Sequence, residues 1–512
     1  MFQGRKKTII LKLIKEKKFI FFSLVIIVIG SIPRSIEIIS GNYLFGFDQG
    51  EHFEAVRKIV VDHKLSLIGT EVGGAGGFFQ GPLWYYLLAI PFFLTQGNPY
   101  GAMVLMFAIG ISTIILSIVF GRKIFDTKTA LIIGILIAIS PAIIAQSRFI
   151  WPPFVISLLS IFFIFFLYKI LQRENKFFPL LAFTIGLMFH FETATGTTLL
   201  LQLLIILPVF ILGKMISLRF YIFGLLSFFS TQISLFIFDV RHDFINLKGI
   251  IKIFINNKEN SAINSFDLIS NHVSIFKQSF FSSFQMADLL WPLLLIVLSV
   301  GLVFYLKDKR IKKAQKWLAL YLATSPLTLF ISFVFYPSTM WEWWILELII
   351  FYSFLFGLIS GYLLQNKPMK LVVLGVYSVF ILSFINKTIF FYRNDFNDLG
   401  GTQKMKGKIE AIDYIYKDAK GKKFGLLVFT PPVYTYAYDY LVWWHGGKKY
   451  NYIPQKDKKG VFYLLMEPDP GKPSSYKGWL ETVIKTGTIL ETKELPSGFI
   501  IQKRYVEEKD NI

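Results

Sequence analysis

Phe47-Asp48-Gln49-Gly50-Glu51-His52 is the stretch on which the fold turns. It follows the first long apolar run directly, and a tail carrying Arg5, Lys6, Lys7, Lys12, Lys15, Lys17 and Lys18 precedes that run. Basic residues anchor the cytoplasmic ends of membrane helices, so Asp48 and Glu51 fall at the external mouth of a first span. Carboxylates at a bilayer surface are costly to desolvate, and a pair kept there points to chemistry, an ion or a partner charge. Gly73-Gly74-Ala75-Gly76-Gly77 comes next, and Gln80-Gly81-Pro82-Leu83-Trp84 restarts a helix. A mobile cover over a reacting group has this composition, although plain linkers share it.

The rest of the chain supports the membrane reading. Of 512 residues, 54% are hydrophobic and 17% aromatic, none is cysteine, and the net charge is +21. The apolar residues gather in runs of roughly 20, the length that crosses a bilayer core. Without cysteine there is no disulfide, thiolate metal site or cysteine nucleophile. The positive charge does not point to nucleic acid. Much of it lies in the tail and in the connector Lys307, Lys309, Arg310, Lys312, Lys313 and Lys316, where topology anchors belong.

The first run, 19–39, is too long for a signal-peptide core and lacks a small-x-small cleavage site, so it reads as an uncleaved anchor. Further spans are predicted near 100–120, 129–147, 152–170, 177–192, 197–213, 218–238, 287–306, 317–336, 344–364 and 371–391. With the N-terminus inside, the connectors 121–128, 171–176, 214–219, 307–316 and 365–370 are cytoplasmic, and each carries Lys or Arg. Gly81 to Leu94 is apolar but short for a span, and counting it would move the Lys307–Lys316 cluster outside. It reads as an interfacial or re-entrant helix, which leaves a polytopic α-helical membrane protein of about 11 transmembrane helices.

Three units follow: a cytoplasmic basic tail at 1–18, a transmembrane region at 19–391 with a large external loop at 40–99, and a small extracytoplasmic α/β domain at 392–512. In the last, charges rise and apolar runs shorten. Helix-like stretches fall at 403–419 and 474–485, and strand-like ones at 424–430, 461–466 and 498–505. Tyr434, Tyr436, Tyr438, Tyr440, Trp443 and Trp444 either bind a glycan or fill the domain core, and core filling is the simpler account.

Asp48 and Glu51 are three residues apart, so on a helix running to Val61 both sit in the first turn, where the dipole favours acids. Asp48 is also a suitable N-cap, which is its purely structural account. The chemical account makes it a general base, or a metal ligand, facing a substrate carried in lipid. His52 reads as an ordinary surface imidazole, and Arg57 and Lys58 as headgroup anchors. Three spans then end externally in ionisable residues: Arg148, His190 with Glu192, and Asp239 with Arg241, His242 and Asp243. An acid in one loop and guanidinium groups in others suit a phosphate-bearing lipid, because arginine forks hold phosphate while a carboxylate activates the acceptor. Each of these residues singly also reads as a boundary group solvating a helix end. Trp341-Glu342-Trp343-Trp344 reads first as an interfacial belt and second as a stacking surface for a sugar ring.

In order and spacing these motifs resemble the GT-C superfamily of polytopic, lipid-phosphate-dependent glycosyltransferases. Within it they are most similar to bacterial relatives of protein O-mannosyltransferases and lipid A aminoarabinose transferases. Asp48-Gln49 stands where the family's first external loop carries an acidic pair, and Gly81-Pro82-Leu83-Trp84-Tyr85-Tyr86 matches its Pro-Pro-Leu-type element. Arg148-Phe149-Ile150-Trp151-Pro152, His190-Phe191-Glu192 and Phe238-Asp239-Val240-Arg241-His242 resemble stretches of bacterial members. The chain departs from the pattern at Gln49, where many relatives have a second acid, and at Trp341-Glu342-Trp343-Trp344, where many have Arg-Tyr.

The resemblance implies a GT-C-like fold and an inverting glycosyltransferase of the bacterial inner (cytoplasmic) membrane. Sugar would pass from a polyprenyl-phosphate donor to a hydroxyl on a lipid, glycan or protein acceptor at the extracytoplasmic face. Asp48 is then the general base with Glu51 in support, and Arg148, His190, Glu192, Arg241, His242 and Gln80 bind the donor phosphate or substrate. No cofactor is required, and a divalent metal is compatible but not expected. Membrane lipids are partners and nucleic acid is not.

Rival readings stay open. A transporter or flippase places ionisable residues near mid-membrane and often shows inverted repeats; here the residues gather at one face and no repeat is found. A non-catalytic glycan-binding assembly factor keeps such a fold without turnover. An O-antigen ligase or polymerase-type enzyme, using a diphosphate-linked donor, would draw on Arg241, His242 and His272 in the 239–286 loop.

Overall fold

The structure, a computed structural model, describes residues 2–72, 78–255, 265–284, 291–334, 339–396, 398, 400–431, 434–469, 471–472 and 474–507. The glycine run 73–77 lies outside the described residues. A helix underlies every predicted span. α1 (Phe2–Arg34) and the single turn α2 (Ile36–Ser40) lead into the loop that carries α3 (Phe47–Val60) and α4 (Leu83–Leu94). The bundle continues with α5 (Tyr100–Ile124), α6 (Thr127–Ile139), α7 (Pro141–Ser147), α8 (Ile156–Leu171), α9 (Phe178–Met188), α10 (Thr193–Leu212) and α11 (Leu218–Arg241). After α12 (Ile245–Ile255) and α13 (Ser265–Ser283) it closes with α14 (Trp291–Lys307), α15 (Lys313–Val334), α16 (Glu347–Leu363) and α17 (Lys367–Asn394). The chain is thus a multi-pass helical membrane protein with a small C-terminal sheet.

Length alone supports fewer crossings than the predicted 11. Among the described residues six helices are long and apolar enough to span a bilayer, or seven if α6 and α7 count as one bent span. The shortfall has local causes. α6 and α7 meet at 62°, because Ser140-Pro141 breaks the ladder, and a 3₁₀ turn at Glu342–Ile345 shortens the run that becomes α16.

The α6–α7 break is held by a buried arginine. Arg34, at the end of α1, donates from Nη1 to the carbonyls of Gly30 (2.6 Å) and Ala138 (2.7 Å), from Nη2 to Ile137 (3.1 Å), and from Nε to Ser147 Oγ (3.2 Å). Ile137 and Ala138 are carbonyls that the broken helix leaves without an intrahelical donor, so a buried cation satisfies them and fixes where Ser147 and the next loop emerge. The Lys- and Arg-bearing connectors meet at the bundle's other end. There Gln315 Nε2 donates to Ile124 O at 2.8 Å, and Tyr362 Oη to Asp308 Oδ2 at 3.1 Å.

The C-terminal residues form a four-stranded sheet in the order β1-β2-β4-β3, with β1 (Gly425–Phe429) parallel to β2 (Gly460–Met466), β4 (Ile500–Val506) antiparallel to β2, and β3 (Thr488–Glu494) antiparallel to β4. β2 is buried on both faces. Phe462, Leu464 and Met466 pack with Ile484 on one side, while Tyr463 and Leu465 join the main core on the other. α18 (Met405–Ala419) covers that second face with Ala411, Ile412, Ile415 and Tyr416, and Lys408 falls in the same buried register. The sequence predicts three strands; β3 escapes it because Thr488–Glu494 is exposed throughout and so lacks an apolar alternation.

Short helices α19 (Tyr436–Leu441), α20 (Gly447–Tyr450) and α21 (Ser475–Trp479) complete the chain. α19 and the start of α18 dock the sheet region onto the first loop: Tyr440 Oη donates to Gly97 O, Met405 N to Tyr43 O (2.8 Å) and Phe45 N to Gln403 O (3.1 Å). The Arg57 guanidinium lies 5.2 Å from the Trp443 ring centroid.

Candidate active site

α3 begins two residues earlier than a helix capped by Asp48 would, so Asp48 is not its cap. Gly46 holds the N-cap position, and its N–H donates to Gln49 Oε1 at 2.9 Å. The Gln49 amide reaches the other way, donating from Nε2 to Ile150 O at 2.9 Å. The buried glutamine therefore fixes the start of α3 against the loop after α7. One turn on, Gly50 lets α19 close in, since a Cβ there would fall 2.2 Å from the backbone nitrogen of Ala437.

Asp48 is left in the first turn, half-buried, with the Trp151 side chain hydrogen-bonded to its carboxylate. Burial raises its pKa above the ordinary aspartate value, and the Trp151 bond opposes that rise only in part. Glu51 is also raised, by burial first, then by the charges of Asp48 and Glu71. Glu71 comes from a small hairpin closed by a bridge to Phe79. Among the described residues neither Asp48 nor Glu51 has an ion-pair partner. The like charges of Asp48 and Glu71 thus both bear on Glu51.

His52 corrects the surface reading. It is buried on the face that also buries Phe53, Val56 and Ile59, and its Nδ1 accepts from Trp84 Nε1 at 3.1 Å. Burial pushes its pKa down to about 3, so it stays neutral. The ring lies between Trp84 and Tyr85, with centroids 6.0 and 5.9 Å away, and so positions α4 against α3.

Beside Asp48 stands an aromatic wall. The Trp151 ring centroid lies 5.2 Å from Phe154 and 5.1 Å from Trp343, and Trp341 stacks on Trp343 at 4.9 Å. The tryptophan turn before α16, read from sequence first as a membrane belt, therefore packs on the residue that holds Asp48. Thr195 Oγ1 donates to Trp344 O at 3.0 Å, which ties this turn to the start of α10.

The predicted binding residues divide. Arg148 is spent on the protein: Nε donates to both Glu37 oxygens (2.8 and 2.9 Å), Nη2 lies 2.5 Å from Asp395 Oδ2, and Phe391 lies 4.3 Å from the guanidinium. Burial works against its charge, and the two carboxylates more than offset that, so its pKa is raised. Glu192 is buried and caps α10 by accepting from Ala194 N at 3.2 Å. His190 is buried with both nitrogens engaged, Nε2 donating to Thr231 O (2.7 Å) and Nδ1 accepting from Leu83 N (3.4 Å). Gly81 makes that contact possible, because a Cβ there would sit 2.0 Å from His190 Nδ1.

Gln80 braces the hairpin, pairing its backbone with Gly69 and Thr70 and accepting from Thr70 Oγ1 at 3.4 Å. Phe79 N donates to Asn246 Oδ1 at 2.7 Å, and the Phe79 ring lies 5.8 Å from Phe238. That brings the first loop to the end of α11, where Arg241 and His242 are exposed and His242 stacks on Phe238 at 4.2 Å. His272 is buried within α13.

Sequence reasoning passed over Glu71, an isolated acid with no motif around it, and the role of Trp151, which lies inside the Arg148 segment. Among the described residues no group of three His, Cys, Asp or Glu side chains is arranged to hold a metal ion.

The bundle, the acid-bearing first loop and the appended sheet together share their fold with solved structures of other proteins. The particular likeness is to ArnT from Cupriavidus metallidurans. Its structure bound to undecaprenyl phosphate aligns over 94% of this chain and 97% of its own, with TM-score 0.56 and 11% identity. The apo form of the same protein aligns over 96% and 98%, with TM-score 0.57 and 11% identity. An oligosaccharyltransferase from Archaeoglobus fulgidus aligns more loosely, over 82% of this chain and 63% of that one, with TM-score 0.47 and 12% identity. No family model and no curated protein matches the sequence. At this identity the likeness is one of fold.

Proposed function

We propose that this protein is an inverting glycosyltransferase that moves a sugar from a polyprenyl-phosphate donor to an acceptor hydroxyl, at the extracytoplasmic face of a bacterial inner membrane. One observation carries the reading: Asp48, a half-buried carboxylate with a raised pKa and, among the described residues, no ion-pair partner, held by an indole at the edge of an aromatic wall. A general base works best when its pKa lies close to the working pH, and burial moves Asp48 that way. Its carboxylate takes the hydroxyl proton as the acceptor oxygen attacks the anomeric carbon. The bond from that carbon to the phosphate oxygen breaks, polyprenyl phosphate leaves with the electron pair, and attack from the opposite side inverts the centre.

Glu51 and Glu71 reinforce the base by keeping the local potential negative. Trp151 and Trp343 offer ring faces to the apolar side of a sugar. Because Arg148 is already neutralised, the donor phosphate is assigned to Arg241, the exposed guanidinium at the end of α11. His190, Glu192 and Gln80 act as braces of the surrounding loops. The fold shared with ArnT, whose structure holds undecaprenyl phosphate, supports the donor class. No step needs a metal ion.

Membranes containing the protein, supplied with radiolabelled polyprenyl-phosphate sugars, should show transfer to an extractable acceptor. Asp48→Asn should lower it by about 10²–10⁴-fold, and EDTA should not. Equal transfer by both proteins would remove Asp48 from the chemistry, and label moving only from diphosphate-linked donors would overturn the monophosphate assignment.

A further inference from the structure

A cavity with charged groups in its lining lies outside the acid site. It occupies about 440 Å³ between the start of α3 and the C-terminal sheet, within the size range of small-molecule sites. Its floor is Lys408, only 2% exposed, which donates from Nζ to Tyr438 Oη at 2.7 Å and to Glu467 Oε2 at 3.2 Å. Tyr438 Oη in turn donates to Glu467. A lysine in the apolar register of α18 is costly to bury, and the tyrosine and glutamate compensate it while keeping polar atoms at the cavity.

Asp469 lies on the same wall. One cation against two acids leaves the lining with a net negative charge, which disfavours phosphates and carboxylates. Hydroxyl groups, which both donate and accept, match such a lining. The aromatic stretch of the C-terminal region splits here: Tyr438 is 1% exposed and structural, whereas Tyr434 is 59% exposed and stands at the rim. Tyr434 lies 5.4 Å from Phe47 and stacks parallel to Tyr436 at 5.8 Å, presenting ring faces of the kind that pack on the C–H face of a sugar. Phe47 and Gln49 both line the cavity, and Asp48 lies between them in sequence.

We propose that this cavity binds an uncharged saccharide, the part of the acceptor adjoining its reacting hydroxyl. The acceptor label rests on the transferase reading; the saccharide site does not. The test uses the full chain in lipid nanodiscs, with calorimetry or saturation-transfer NMR against neutral trisaccharides of mannose, glucose, galactose and N-acetylglucosamine. At least one should bind, and Tyr434→Ala and Asp469→Asn, both at the rim, should each weaken it about fivefold or more with unchanged thermal unfolding. Binding to none of the four, binding untouched by both variants, or tighter binding of a phosphorylated sugar than of its neutral parent would each overturn the proposal. Trisaccharide binding that persists while transfer fails from every donor would remove the transferase reading and leave this site standing.

Discussion

Two sets of ionisable residues flank the loop after α7, and they settle their charge in opposite ways. Arg148 lies between Glu37 and Asp395, bonded to both and covered by Phe391. Three residues further on, Trp151 holds Asp48, which among the described residues has no ion-pair partner and whose charge bears on Glu51. The first set has the compensation that burial demands of charge. Among the described residues Asp48 and Glu51 lack it although an arginine is close in sequence, and half-buried carboxylates with raised pKa values are where chemistry is expected. The two sets therefore predict different responses to mutation.

The largest effect belongs to the uncompensated set. Asp48→Asn should cost about 10²–10⁴-fold in transfer while leaving thermal stability equal or higher. A carboxyl whose pKa is higher in the fold than in the unfolded chain is penalised by the fold when ionised, so at neutral pH an uncharged amide relieves that penalty. Arg148→Ala should do the reverse. It strands two partly buried carboxylates and should lose about 3 kcal/mol of stability, read as a fall in thermal midpoint. Arg148→Met combined with Glu37→Gln and Asp395→Asn should recover most of that stability, and transfer with it. A folded but inactive triple variant would return Arg148 to the donor phosphate and blur the contrast.

How far the sequence carried this contrast depends on the kind of signal. The helices were legible because an apolar run of membrane length seldom arises outside a bilayer, and Asp48 with Glu51 because their place after the first span was unusual. Arg148 was legible as an oddity but not as a strut, since Glu37 and Asp395 lie 111 and 247 residues away from it. His52 was misplaced because α3 buries a face that only its packing on α4 and α19 defines. Lys408 carried a readable signal, a lysine in register with Ala411, Ile412 and Ile415, yet its tyrosine and glutamate come from α19 and the end of β2. Pairing across such separations is what a single sequence leaves out.

A smaller effect tests whether the aromatic wall belongs to the site or to the membrane. Trp343→Ala removes the ring that packs on Trp151. A sugar-stacking role predicts a loss of about fivefold in donor or acceptor KM, with kcat nearly kept. A belt role predicts normal kinetics and altered membrane extraction instead.

The finest test separates Asp48 from its neighbours by pH. The base must be ionised, so transfer should fall on the acid side through the raised pKa of Asp48, at a higher pH than an ordinary aspartate would give. Trp151→Phe removes the hydrogen bond that favours the ionised form, so the acid limb should move to still higher pH with the alkaline plateau kept. Glu51→Gln removes a like charge, and because Coulombic coupling is mutual, the limb should move to lower pH. His52 cannot supply either shift, since it titrates near 3. Opposite movements in the two variants would assign the limb to Asp48 itself; a limb that ignored both would place the titrating group elsewhere and end the comparison in favour of a structural Asp48.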